Sequence, residues 1–108
     1  ENLVFTELVK RGVKPNKELF YYKTRNDREV DFVVKKGTEV SELIQVCYES
    51  INSDVEQRET KALVEASGEL KLKKLTVLTW DEKREANQGE VKLQFVPLWE
   101  WLLDKVQA

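Results

Sequence analysis

Two short runs constrain this chain more than anything else in it: Glu29-Val30-Asp31-Phe32-Val33-Val34 and Leu43-Ile44-Gln45-Val46-Cys47-Tyr48. Each is rich in β-branched and aromatic residues and reads as a strand. Each also carries a polar residue inside apolar sequence. Side chains alternate between the faces of a strand, so Asp31 shares a face with Glu29 and Val33, and Gln45 with Cys47. A hairpin of the two would bring a carboxylate, an amide and a thiol to one place in a sheet. A carboxylate taken out of water is costly unless paired, hydrogen-bonded or metal-bound, so Asp31 in a Val/Phe strand needs a partner.

A second acid stands out in the opening helix, read over residues 2–11 with Gly12 as its stop. Leu3, Val4, Phe5, Leu8 and Val9 spread over a broad apolar arc, and Glu7 falls inside it. Farther on, Pro15-Asn16 marks a turn, Leu19 to Thr24 an aromatic extended segment, and Arg25 to Arg28 a polar turn into the Asp31 strand. Lys35 to Thr38 turns again, and Ser41 to Tyr48 completes an antiparallel meander.

Asn52-Ser53-Asp54 supplies N-caps for a helix over 54–67, closed by Gly68, with Val55, Leu63, Val64 and Ala66 facing inward. Leu75 to Trp80 is a strand expected to enter the sheet beside the third through a helical crossover. Asp81 to Gly89 reads as a polar loop and Val91 to Val96 as a last strand at an edge. Pro97 then opens a helix whose Trp99, Leu102, Leu103 and Val106 share a stripe. The expectation is an α/β domain of order αβββαββα, a mixed central sheet flanked by helices, with residues 1–108 as one domain.

Composition removes several function classes. The content of 41% apolar and 35% charged residues suits a folded domain rather than a disordered one. No apolar run approaches the ~18 residues that span a bilayer, so no membrane partner is expected. The single Cys excludes an intrachain disulfide and points to a reducing, cytoplasmic setting. The chain has no Met and is expected to belong to a longer gene product. Without His there is no Ser/His/Asp triad and no zinc-ligand set of recognised type. Neither Gly-rich nucleotide motif is present. What remains is oxygen chemistry: Glu7, Asp31 and Gln45, whose hard donors suit Mg²⁺ or Mn²⁺.

Charge is uneven along the chain. Residues 10–36 hold nine basic and four acidic side chains, whereas residues 37–69 hold two and eight. Lys10, Arg11, Lys23, Arg25 and Arg28 are therefore candidates for contact with the phosphates of a nucleic acid. Plainer readings stand beside each assignment. The basic block can be a solvated surface, Asp31 can pair with a nearby cation, and Glu7 can pair with Lys10 or Arg11 on its own helix. Gln45 can be satisfied by sheet neighbours, Cys47 can be a small buried hydrophobe, and Trp99 and Trp101 can belong to the core.

Several segments match known motifs in order: Glu1 to Leu8 with Arg11-Gly12, Tyr21 to Thr24, Glu29 to Val33, Leu43 to Tyr48, Arg58-Glu59 with Ala62-Leu63, Leu78-Thr79-Trp80, and Pro97 to Leu103. Together they resemble the PD-(D/E)XK nuclease-like superfamily, and more narrowly domain of unknown function 4143, found at the C-terminus of bacterial and archaeal AAA+ type ATPases. The resemblance covers nearly the whole chain and implies a restriction-endonuclease-like core.

It further implies an acid on the first helix, an Asp on the second strand and a Glu-x-Lys on the third. Glu7 and Asp31 hold the first two positions, while Gln45 and Cys47 replace the Glu and the Lys. The site would lose a ligand charge and the cation expected to orient water or stabilise the transition state. Some relatives recruit a lysine from the following helix, which makes Lys61, with Arg58, a candidate replacement. The expected role is a degenerate nuclease-like module of an ATPase, partnered by the ATPase region and binding nucleic acid or protein. An active Mg²⁺-dependent DNA nuclease using Glu7, Asp31, Gln45 and Lys61 or Arg58 is the alternative, and a structural or oligomerising appendage a third.

Overall fold

The meander expected over residues 19–48 forms, and its pairing sets the rest of the architecture. In the computed structural model, which describes residues 2–48, 54–72, 74–88 and 90–103, β1 (Leu19–Lys23), β2 (Glu29–Lys36) and β3 (Glu39–Val46) pair antiparallel in sequence order. Helix α2 (Asp54–Leu70) carries the chain across to β4 (Lys74–Thr79), which lies parallel to β3. Next come β5 (Arg84–Gln88) and β6 (Val91–Pro97), and β6 inserts between β4 and β5, parallel to the former and antiparallel to the latter. Among the described residues the sheet is thus mixed and six-stranded, in the order β1-β2-β3-β4-β6-β5.

Helices cover both faces. On one side α2 places Leu63 and Ala66 against Val30, Leu43, Val77, Leu93 and Phe95. On the other, Val4 and Leu8 of α1 (Asn2–Lys10) and Leu98 and Trp101 of α3 (Leu98–Leu103) pack with Phe32, Ile44 and Leu78. Neighbours such as Leu43 and Ile44, or Val77 and Leu78, serve opposite cores, and all four are fully buried. This is why β3 and β4 read as continuous apolar runs: parallel strands between two helical layers have no wet face. Truncating one of these side chains to Ala would cost about 2–5 kcal/mol through lost transfer energy and a residual cavity.

Four sequence expectations need correction. Asp81 to Gly89 is not all loop: β5 occupies Arg84–Gln88, so the order is αβββαβββα. Its sequence is polar because it is an edge strand held by backbone pairing to β6, with Ala86 packed partly against the core. Consequently β6 is interior, not an edge. Helix α2 runs through Gly68 to Leu70, and the left-handed turn falls on Lys71, φ 58°, where a glycine is usual. In α3, Leu98 and Trp101 face the core while Trp99 and Leu103 are exposed. Pro97 is still strand, paired with Thr79, and the helix begins one residue later than expected. Asn52, Ser53, Gly89 and Val106, and the side chain of Val55, lie outside the described residues.

Candidate functional site

A break in β2 shapes the site. From Phe20 to Tyr22 β1 advances two residues while β2 runs back three, from Val33 to Val30. The extra residue falls at Asp31–Phe32 and interrupts the alternation. Val30 and Val33 therefore both enter the α2-side core, while Phe32 and Val34 enter the opposite one. Against β3 the last regular pair at this end is Phe32 with Ile44. Such bulges often sit beside functional sites, where they re-aim a side chain.

Beyond that pair, side chains complete the ladder. The Asp31 backbone N–H donates to Gln45 Oε1 at 2.7 Å, and the Val46 N–H donates to the Asp31 carboxylate at 2.9 Å. Gln45 Nε2 in turn donates to the Glu29 carbonyl at 2.9 Å and to the Glu59 carbonyl of α2 at 3.2 Å. The Gln45 side chain is 0% exposed. One amide of β3 thus satisfies a donor and an acceptor of β2 at the bulge and ties the hairpin to the helix above. Cys47, one residue past β3, is a member of the α2-side core with Leu63 and Ala66.

Glu7 lies in the opposite layer. It is buried on α1, where Arg11 Nε donates to its carboxylate at 2.9 Å, as the i,i+4 spacing allows. The same guanidinium donates to the Trp101 carbonyl at 2.5 Å and lies 4.3 Å from the centroid of the Trp101 ring. Glu7 and Arg11 therefore bind α1 to α3. The structure brings Asp31 and Gln45 together and sets the sheet between the Gln45 amide and Glu7.

This arrangement does not fit a divalent-cation site built from Glu7, Asp31 and Gln45. The Gln45 amide faces α2 while Glu7 sits across the sheet on α1, where its Oε2 takes Arg11, and Asp31 Oδ2 takes the Val46 N–H. Among the described residues no buried side-chain nitrogen or oxygen lacks a partner, and no three acidic, Cys or His side chains gather as ligands. Lys61 and Arg58 are exposed on α2. Arg58 helps line a hollow of about 220 Å³ with Asn26, Asp27, Arg28 and Glu29 beside the β1–β2 turn. A larger hollow, about 590 Å³, is lined by Arg11, Glu42, Thr76, Arg84, Gln94 and Trp101 among others, and neither Asp31 nor Gln45 reaches it.

The basic block does not remain one basic face. Arg11 is engaged by Glu7 and Trp101, and Arg28 Nε donates to Glu65 at 3.4 Å. Lys23 stands 3.9 Å from Asp27 in an exposed pair of little energetic weight. Lys10, Lys23 and Arg25 keep exposed side chains.

Two α2 acids were not singled out from sequence, although their i,i+4 spacing places them on one helix face. Glu65 accepts from Thr24 Oγ1 and from Asn26 Nδ2 at 2.7 Å, besides Arg28. Glu69 accepts from the Tyr22 hydroxyl at 2.7 Å and the Arg25 N–H at 3.0 Å. Together they clamp the β1–β2 turn to α2. The Thr24 and Asn26 donors, then Arg28, hold the Glu65 carboxyl below its ordinary value against the opposing effect of burial. The Glu69 carboxylate raises the Tyr22 phenol. On the other face of β1, a hydrogen bond with Glu29, with burial and the charges of Glu29 and Asp31, pushes the Tyr21 phenol up to about 12.

Fold and site together define an α/β domain whose polar centre is built into the sheet. The chain belongs to the family described as domain of unknown function (DUF4143), which matches residues 1–101. It is 43% identical over 109 residues to uncharacterized protein MJ1544 of Methanocaldococcus jannaschii. That match covers 95% of this chain and 24% of the relative, so the chain spans about a quarter of the relative's length. No solved structure matches. Among the described residues no helix is long and apolar enough to cross a membrane.

Proposed function

We propose that this chain is a PD-(D/E)XK nuclease-like domain whose third motif has passed from catalysis to fold support, and that it works as a non-cleaving binding module of a larger ATPase. The observation that carries the reading is the set of three hydrogen bonds made by Gln45, to the Asp31 N–H and to the carbonyls of Glu29 and Glu59. A metal-binding carboxylate here would face two carbonyl oxygens that now receive donors. The antiparallel β1–β2–β3 meander followed by an α2 crossover to parallel β4 supports the nuclease-like assignment. The burial of Cys47 supports the loss of chemistry, because a lysine there would put its charge into the α2-side core.

The binding partner in this reading is a nucleic acid or a protein, and exposed Lys10, Lys23 and Arg25 are the positions through which phosphates would act. Labelled duplex and branched DNA, titrated with the chain at two salt concentrations in the presence of Mg²⁺, tests both parts. The expected result is intact DNA, with any binding falling steeply with salt and weakened by reversing those three charges. Binding that ignores salt and charge reversal, or none at low salt, assigns the module to a protein partner. Cleavage contradicts the reading.

A further inference from the structure

The two helical layers differ in how they meet water. The outward positions of α2 carry Gln57, Arg58, Lys61 and Gly68, all exposed and none of them a large apolar side chain. Across the sheet, α1 buries Val4 and Leu8 yet also exposes Leu3, Phe5 and Val9, and α3 exposes Trp99 and Leu103. These five side chains are between 39% and 67% exposed. At about 100° per residue, Val9 on α1 and Trp99 and Leu103 on α3 turn away from the sheet, Leu3 and Phe5 flank the buried side of α1, and exposed Thr6 and Lys10 share its outer side. One layer of this domain is finished for solvent and the other is not.

We infer that the outer side of the α1–α3 layer is a docking surface, covered by an apolar segment from elsewhere in a longer polypeptide that contains this chain. Phe5, Val9, Trp99 and Leu103 offer apolar surface, with exposed Lys10 and half-buried Glu100 on the same two helices. Area favours a tethered occupant over a second copy. Five half-exposed side chains amount to on the order of 500 Å², short of the roughly 800 Å² per partner that stable free-standing complexes bury. A covalently linked segment acts at an effective concentration of about the millimolar range, and a patch of this size is then enough. The relative, of which the chain matches only 24%, has most of its length outside the match. The inference shares with the proposed function only the premise of a longer polypeptide, and stands whether or not the domain binds or cuts DNA.

Single cysteines at Val9→Cys, Trp99→Cys and, as the control on α2, Lys61→Cys test it in the full-length polypeptide that carries this sequence. Maleimide labelling at each position is read by peptide mass spectrometry, with buried Cys47 as an internal marker of folding. The expected result is at least tenfold slower labelling at positions 9 and 99 than at 61, unchanged on dilution. Amide exchange of the unsubstituted protein provides a reading free of variants, with α1 expected to be slower in the full-length polypeptide than in the 108-residue chain. Equal labelling at all three positions with equal α1 exchange overturns the inference. So does protection that vanishes on dilution, which assigns the surface to a second copy, or a gene product no longer than this chain.

Discussion

Asp31 and Gln45 exchange the roles of backbone and side chain across the β2–β3 hairpin. The Asp31 N–H bonds to the Gln45 amide, and the Asp31 carboxylate takes the N–H of Val46, the residue after Gln45. The relationship makes the third motif sensitive to charge. Gln45→Glu removes both donors to the Glu29 and Glu59 carbonyls and buries an anion beside them. A loss of about 2–4 kcal/mol is expected at neutral pH, measured by urea denaturation. The new carboxyl would have a raised folded-state pKa. Part of the loss should therefore be recovered as pH falls and a proton restores one donor. An unchanged midpoint would remove Gln45 from the role assigned to it. Cys47→Lys added to this change is expected to destabilise the domain further rather than restore an active site.

Arg11 is expected to behave as a structural residue. Arg11→Ala strips the buried Glu7 of its partner and takes away the bond and ring contact to Trp101. Stability should fall by about 2–4 kcal/mol. Arg11→Lys keeps the charge but lacks the planar fork, and should recover only part of that loss. Charge reversal at exposed Lys10 or Arg25 should change stability by no more than ~0.5 kcal/mol. Thermal melts of the four variants separate these outcomes, and equal effects at positions 11 and 25 would refute the distinction.

The clamp on the β1–β2 turn should loosen in acid. The folded-state pKa of Glu65 is lowered, so its contribution is present above the unfolded value of 4.5 and is lost as pH falls through the folded one. Amide exchange in Thr24 to Arg28 should therefore rise below about pH 4.5, relative to the α2 core, once corrected for its intrinsic pH dependence. Glu65→Gln should flatten that acid limb. A turn whose protection is independent of pH in both proteins would contradict the assignment.

Tyr21 offers an optical check on the same end of the sheet. Its phenol stays protonated to about pH 12, whereas an ordinary tyrosine ionises near 10. With the folded value raised, any stabilisation it gives is complete below pH 10 and lost as pH rises through 12. Absorbance titration should show a latest step near pH 12 that disappears in Tyr21→Phe and moves toward 10 in Glu29→Gln, while the raised step of Tyr22 persists in both. Persistence of the late step in Tyr21→Phe would place it elsewhere.

Much of the fold was legible because two helical layers force apolar continuity on the strands between them. The runs at Leu43 to Val46 and Leu75 to Leu78 are the direct imprint of that burial. β5 left no such imprint, since an edge strand held by backbone bonds needs no apolar pattern. The anomalies at Glu7, Asp31 and Gln45 were visible as polar residues in apolar settings. Their partners were not, because the bulge that aims Asp31 is a register event between strands. Which layer a helix covers is likewise tertiary information. Glu7 and Gln45 thus looked like members of one site from their chemistry alone, although the sheet stands between Gln45 and the α1 layer.

Incubation of the folded chain with supercoiled plasmid and branched DNA in Mg²⁺ or Mn²⁺, with and without EDTA, bears most directly on the central claim that the third motif supports the fold and no longer cuts. No EDTA-sensitive cleavage above that of an Asp31→Ala variant purified in parallel is expected. Robust EDTA-sensitive cleavage by the unmodified chain, abolished by Asp31→Ala and by Lys61→Ala, would contradict that claim and establish an active nuclease with its lysine on α2.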